Sequence, residues 1–143
     1  MCIDLNRFKN IKEIYISTEE FWQVNDQSCD FLDLVFDTGE AMLSVEFFKA
    51  NEDCWIEVAE ITELDKEEYK YKIDMSGQVF TLEDVRYLYD GIIDAIKLRC
   101  NDVFLFIFTD EYNLILTKSK YDLFEDTGEF FDEEAKLVIV NNV

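Results

Sequence analysis

The segment from Thr81 to Arg99 has the sequence TLEDVRYLYDGIIDAIKLR, and it gives the strongest local prediction in the chain. Its apolar residues recur at spacings of three and four positions, which is typical of an amphipathic helix. These residues are Leu82, Val85, Leu88, Tyr89, Ile92, Ile93 and Ile96. Thr81 stands where a helix N-cap is favoured, and Lys97 and Arg99 stand where bases complement the helix dipole. The sequence therefore predicts one long amphipathic helix over residues 81–99.

The segments on either side of this helix predict β-strands, because they are apolar or alternate with period two. They are Ile11–Ile16, Phe31–Phe36, Ala41–Phe48, Cys54–Ile61, Tyr69–Asp74, Val103–Phe108, Asn113–Thr117 and Lys136–Val140. Hairpins are expected across Asp37-Thr38-Gly39-Glu40 and across Asp110-Glu111. Val103–Phe108 is apolar on both faces, which favours a central position in the sheet. Thr18–Trp22 fits a helical turn or an extended segment equally.

These elements predict an α+β fold, with a mainly antiparallel sheet of about six to eight strands and the long helix packed on it. The chain has 143 residues, of which 49% are hydrophobic, so one core is expected. It contains no proline and only four glycines, and no stretch resembles a linker. We therefore expect a single globular domain over residues 1–143.

The charge of the chain is strongly one-sided. There are 33 acidic and 13 basic residues and no histidine, which gives a formal net charge of −20. A compact anionic protein repels nucleic acid and anionic membranes and attracts cationic surfaces. No signal-peptide pattern begins the chain, and its longest apolar run is too short to cross a bilayer. We expect a cytoplasmic protein that binds a basic protein and contacts neither nucleic acid nor membrane.

One acidic block interleaves carboxylates with phenylalanines, and it is the candidate partner-binding site. Its residues are Asp122, Phe124, Glu125, Asp126, Glu129, Phe130, Asp132, Glu133 and Glu134. Carboxylates would steer a basic partner, and aromatic side chains would supply anchor points. A solvated loop whose phenylalanines cover the core fits the same residues, and both interpretations stay open.

The absence of histidine excludes the Ser-His-Asp and Cys-His catalytic arrangements and histidine-based metal sites. Cys2, Cys29, Cys54 and Cys100 form no C-x-x-C pair, so they are expected to be reduced, buried thiols, although an even count allows two disulfides. No EF-hand spacing is present. We therefore expect no metal and no cofactor.

The tripeptide Asp-Thr-Gly occurs twice, at Asp37-Thr38-Gly39 and at Asp126-Thr127-Gly128. This repeat resembles the paired active-site loops of aspartic proteases, which implies two carboxylates that share one proton. The chain departs from that pattern because Glu40 and Glu129 follow the glycines, and it lacks the later apolar-apolar-glycine segments. Turn formation is the alternative, since Asp bonds its own backbone and Gly accepts a positive φ.

The strong negative charge and the absence of histidine-based catalytic arrangements together favour a protein that is not an enzyme. The expected function is a stoichiometric inhibitor that blocks the basic nucleic-acid-binding groove of a nuclease or similar enzyme. Immunity proteins against nuclease toxins and phage anti-defence inhibitors fit this physical description, and they are analogies because no residue motif identifies either family. A small carboxylate-dependent enzyme using Asp37 or Asp126, and a non-catalytic adaptor or phage structural subunit, remain the alternatives.

Overall fold

The computed structural model describes residues 4, 7–17, 33–51, 53–89, 91–109, 114–118, 124, 135–136 and 140–143. These residues form eleven β-strands. The strands are β1 (Glu13–Ile16), β2 (Asp33–Asp37), β3 (Met42–Ala50), β4 (Asp53–Ile61), β5 (Tyr71–Ile73), β6 (Thr81–Tyr89), β7 (Ile92–Cys100), β8 (Val103–Phe108), β9 (Leu114–Lys118), β10 (Ala135–Lys136) and β11 (Val140–Asn142). No α-helix occurs among them. The expected α+β class is therefore wrong.

The strands form one sheet in the order β10-β9-β8-β7-β4-β3-β2-β1-β5-β11, with β6 also paired to β7. Every pairing between these strands is antiparallel. We call β1 to β5 with β11 the first half, and β6 to β10 the second half. Within the described ranges, strands of the two halves pair only at Ile56 and Ile93. The segment before β1 adds a bridge from Ile11 to Phe80.

The predicted helix over residues 81–99 is a β-hairpin made of β6 and β7. Tyr89 pairs with Ile92, so the connection has the two-residue sequence Asp90-Gly91. Gly91 has a φ of +79°, which the tight turns of two-residue hairpins require and which glycine adopts without steric cost. The β-branched and aromatic residues of this segment also favour strands over helices.

Irregular pairing explains why the hairpin has a helix-like pattern. The register between β6 and β7 shifts at three places, which leaves Glu83, Leu88 and Asp94 as extra residues. An extra residue in one strand turns a spacing of two into a spacing of three on the same face. Leu82 and Val85 thus reach one core although they are three positions apart. The periodicity came from bulges, not from a helix.

One buried cluster joins the two halves of the sheet. It includes Ile14, Leu34, Phe36, Val45 and Ile56 from the first half, and Ile93, Ile96, Leu98, Leu105 and Ile107 from the second. The sheet therefore curls so that both halves cover the same core. We call the opposite surface of the sheet its outer face.

Strand β8 confirms the prediction of a central strand that is buried on both faces. It lies between β7 and β9. Leu105 and Ile107 face the main core, whereas Phe104, Phe106 and Phe108 form a second buried cluster with Ala95 on the outer face.

Both predicted hairpins are confirmed by the strand pairing. Asp37 pairs with Met42 across the first turn, and Ile107 pairs with Leu114 across the second. The single strand predicted over Lys136–Val140 is wrong, because β10 pairs with β9 at one edge and β11 pairs with β5 at the other. The described residues include no helix of the length and apolarity that a membrane span needs.

Candidate functional site

Of the nine residues proposed for partner binding, Phe124 alone lies within the described part of the chain. The other eight lie outside the described residues: Asp122, Glu125, Asp126, Glu129, Phe130, Asp132, Glu133 and Glu134. The role of this block in partner binding stays a prediction. The described residues contain 18 acidic and 12 basic side chains, an excess of six, so most of the net charge of −20 belongs to the remaining segments.

The ring of Phe124 packs on the outer face of the second half. Its centroid lies 5.6 Å from that of Phe106 and 6.4 Å from that of Phe108, both in tilted geometry. Phe106 in turn contacts Phe104 edge-on and stacks on Phe108. We call Phe104, Phe106 and Phe108 the phenylalanine stack. Phe124 therefore contacts the protein's own sheet, where it partly covers this stack.

Three basic side chains surround these rings. The guanidinium of Arg86 lies 5.5 Å from the ring of Phe124, and that of Arg99 lies 4.6 Å from the ring of Phe104. The Lys97 ammonium lies 5.0 Å from Phe104 and 5.2 Å from Phe124. Cations at these distances are attracted by the negative faces of aromatic rings.

Two acidic side chains on the same face form ion pairs with these three bases. Glu83, the extra residue of a bulge, accepts Arg99 Nε at 2.8 Å and lies 3.5 Å from Lys97 Nζ. Asp94, the extra residue of another bulge, lies 2.8 Å from Arg86 Nε. Lys97 is buried, with 8% of its surface exposed, so its pairing matters to the fold. Within the described residues, this face therefore carries a structural ion-pair network.

On the outer face of the first half, three acids of β2, β3 and β4 are arranged differently, because within the described residues they have no basic partner. Asp33 pairs with Glu46 across β2 and β3, and Glu46 pairs with Glu57 across β3 and β4. We call these three residues the carboxylate row; neighbouring strands place its members about 5 Å apart. In the described part of the chain, none of the three forms a salt bridge. Like charges directly opposite each other are destabilising.

An aromatic pair lies beside this row. Phe48 and Trp55 are cross-strand partners whose rings stack with centroids 5.8 Å apart and planes 14° apart. The Trp55 indole Nε1–H donates to Glu57 Oε2 at 2.8 Å and fixes that carboxylate. The Phe47 backbone N–H donates to Asp33 Oδ1, also at 2.8 Å. Two of the three carboxylates of the row are therefore held in place, and the row adjoins half-buried aromatic surface.

The connection between β4 and β5 brings further acids to the row. Burial and the negative charges of Asp33, Asp65 and Glu46 raise the pKa of Glu68. Burial, with a smaller contribution from Glu46, also raises the pKa of Asp33, against the opposing hydrogen bond from the backbone of Phe47. Burial and these same carboxylates raise the pKa of the buried Tyr69 phenol. Burial is the largest cause of each shift, and the neighbouring carboxylates add a negative potential that a cation would relieve.

The first Asp-Thr-Gly segment forms a turn. Asp37 Oδ1 accepts the Gly39 N–H at 2.8 Å, and Thr38 Oγ1 accepts the Ala41 N–H at 3.0 Å. Gly39 has a φ of +91°, as the turn interpretation requires. Asp37 also lines a shallow cleft of about 420 Å³. Its carboxylate thus has a structural role, and the second segment, Asp126-Thr127-Gly128, lies outside the described residues.

The expectation of reduced cysteines is wrong for Cys54, which is disulfide-bonded. Cys100, by contrast, is a free and partly buried thiol. Among the residues with described positions, no group of three or more carboxylate or thiol ligands is arranged to hold a metal ion. No family model matches this chain, and no curated protein or solved structure matches it.

The carboxylate row was missed at the level of sequence, although a signal for part of it existed. Glu46 and Glu57 occupy polar positions of two predicted strands, and the short connection Asn51-Glu52 fixes which residues of those strands face each other. Asn51 has a positive φ of +60°, which suits such a turn. Pairing these strands in sequence would have aligned Glu46 with Glu57 and Phe48 with Trp55.

Proposed function

We propose that this protein is a stoichiometric, non-catalytic inhibitor that binds a basic protein through the outer face of β2 to β4. The observation that carries the proposal is the carboxylate row beside the Phe48–Trp55 pair, whose acids lack salt bridges within the described residues. The row would occupy a cationic groove that normally receives phosphates. The most suitable target class is a nuclease or another enzyme that handles nucleic acid.

The geometry supports this class in two ways. Acids held by Trp55 Nε1 and by the backbone of Phe47 need little reordering when a partner arrives, which lowers the entropic cost of binding. Their mutual repulsion in the free protein would be relieved by lysine or arginine side chains. Electrostatic steering would speed association by about 10- to 1,000-fold at low salt.

The test is one-to-one capture from the native host under cross-linking, followed by kinetics with the purified partner. A double variant, Glu46→Gln with Glu57→Gln, removes two charges from the row. The matched control, Glu63→Gln with Asp102→Asn, removes two exposed charges elsewhere. We expect slower association, and a weaker salt dependence of the association rate, for the row variant only. We also expect the wild-type protein to inhibit the partner's activity, and nucleic acid to relieve that inhibition by competition. Equal effects of the two double variants, or an uninhibited partner, would contradict the proposal.

A further inference from the structure

The tip of the β6–β7 hairpin exposes three consecutive large side chains. The exposed fractions are 36% for Tyr87, 49% for Leu88 and 73% for Tyr89. Leu88 is the extra residue of a bulge, which removes it from the regular pairing of the sheet. Exposed groups of large apolar residues on a protein surface often mark interaction sites. The tip is therefore a second candidate contact region.

Strand register connects this tip to the carboxylate row. Ile56 pairs with Ile93, so the antiparallel register brings Glu57 beside Ile92 on the outer face. Ile92 in turn pairs with Tyr89. The row of three acids thus continues through a partly buried isoleucine to the most exposed aromatic residue of the tip. Acidic and apolar groups form one continuous strip across β2, β3, β4, β7 and β6.

The charge of this strip decides between occupants. A second copy that docked along the whole strip would place acidic rows against each other, and like charges across an interface are strongly unfavourable. A cationic partner instead meets complementary charge along the row. We propose that the hairpin tip is the apolar anchor for the basic partner, filling an apolar cleft whose rim carries lysine and arginine. This inference rests on the proposed function, and it assigns long-range steering to the row and retention of the complex to Leu88 and Tyr89.

Two synthetic peptides of equal charge test the assignment: one alternates arginine with leucine, the other arginine with serine. Binding is measured by fluorescence anisotropy at several salt concentrations. The tip variant is Leu88→Ser with Tyr89→Ser, and Val79→Ser is the matched control at an exposed valine elsewhere. We expect wild type to bind the arginine–leucine peptide at least about tenfold more tightly, since burying one leucine is worth about 1.5–3 kcal/mol. The tip variant should lose this preference, and Val79→Ser should keep it.

The outcomes separate the two proposals. If wild type binds both peptides equally, while the Glu46→Gln and Glu57→Gln pair weakens both, the tip assignment is overturned and the acidic site stands. If neither peptide binds, or binding is insensitive to the row variant, the proposed function and the tip assignment fail together. Sedimentation velocity on the free protein gives the remaining outcome: self-association that the tip variant abolishes would assign the tip to a second copy and overturn the inference.

Discussion

Replacing Gly91 with alanine distinguishes the β6–β7 hairpin from a helix by the sign of the change in stability. Gly91 has a φ of +79°. An L-residue in this left-handed region costs roughly 1–2 kcal/mol, because its Cβ atom approaches the backbone too closely. In a helix interior the same substitution would instead stabilise the protein by about 1 kcal/mol. We expect the alanine variant to be less stable than wild type.

The size of the effect on the melting temperature follows from chain length. With 143 residues, the entropy of unfolding is about 0.3 kcal/mol/K, so 1 kcal/mol corresponds to about 3 °C. Gly91→Ala should lower the Tm by about 3–7 °C. Gly91→Asn serves as the matched control, because asparagine tolerates a positive φ better than alanine does. The expected order of stability is glycine, then asparagine, then alanine.

Thermal unfolding followed by circular dichroism and by calorimetry measures this order. The reversed order, with alanine the most stable variant, is what a helix over residues 81–99 requires. Such a result would refute the hairpin, and with it the register that joins Tyr89 to Glu57.

Three further predictions concern charge and redox state. The raised pKa values of Asp33 and Glu68 mean that folding favours their protonated forms, so these two groups should add to the free energy of unfolding as the pH falls from neutral toward the ordinary carboxyl pKa of about 4. Asp33→Asn should flatten that rise. Urea titrations at each pH measure the change, and a monotonic loss of stability on acidification would contradict it. Glu46→Gln removes a negative charge that lies opposite a second carboxylate, so it should raise the Tm by about 1–3 °C in low salt but little in 1 M salt. A change in Tm that does not depend on salt would argue against repulsion between these carboxylates. Alkylation of the unfolded, unreduced protein should label Cys100 and leave Cys54 unlabelled, as mass spectrometry of peptides would show. Disulfides are rare in the cytosol. If Cys54 were labelled in protein quenched directly from cells, that result would favour a reducing compartment.

Regular strands were predictable from sequence because their side chains alternate without interruption. Val103–Phe108 and the turn at Gly39 follow directly from apolar runs and turn chemistry. The β6–β7 hairpin did not, because Glu83 and Asp94 interrupt the alternation and place apolar residues three positions apart. The dipeptide Asp90-Gly91 carried the better signal, since Asp-Gly between apolar segments is typical of two-residue hairpins.

The candidate surface was less predictable than the strands. Asp33, Glu46 and Glu57 are far apart in the chain, and only the register of β2, β3 and β4 aligns them. The sequence instead indicated the acidic block around Phe124, because negatively charged residues are closely spaced along the chain there. Phe124 itself packs on the phenylalanine stack. A high density of acidic residues along the chain is therefore not the same as a high density of acidic side chains on a surface.

The junction at Ile56 and Ile93 has a consequence for how the molecule unfolds. Within the described residues, main-chain pairing between the halves is limited to this junction and to the segment before β1, where Ile11 pairs with Phe80 and the Leu82 N–H donates to the Phe8 carbonyl. The buried cluster, by contrast, spans both halves. Cooperativity between the halves must therefore depend on interdigitated side chains more than on a continuous amide ladder. Truncating Ile56 would loosen that coupling, and amide hydrogen exchange would then begin to separate β1–β5 from β6–β9 into two independently opening units.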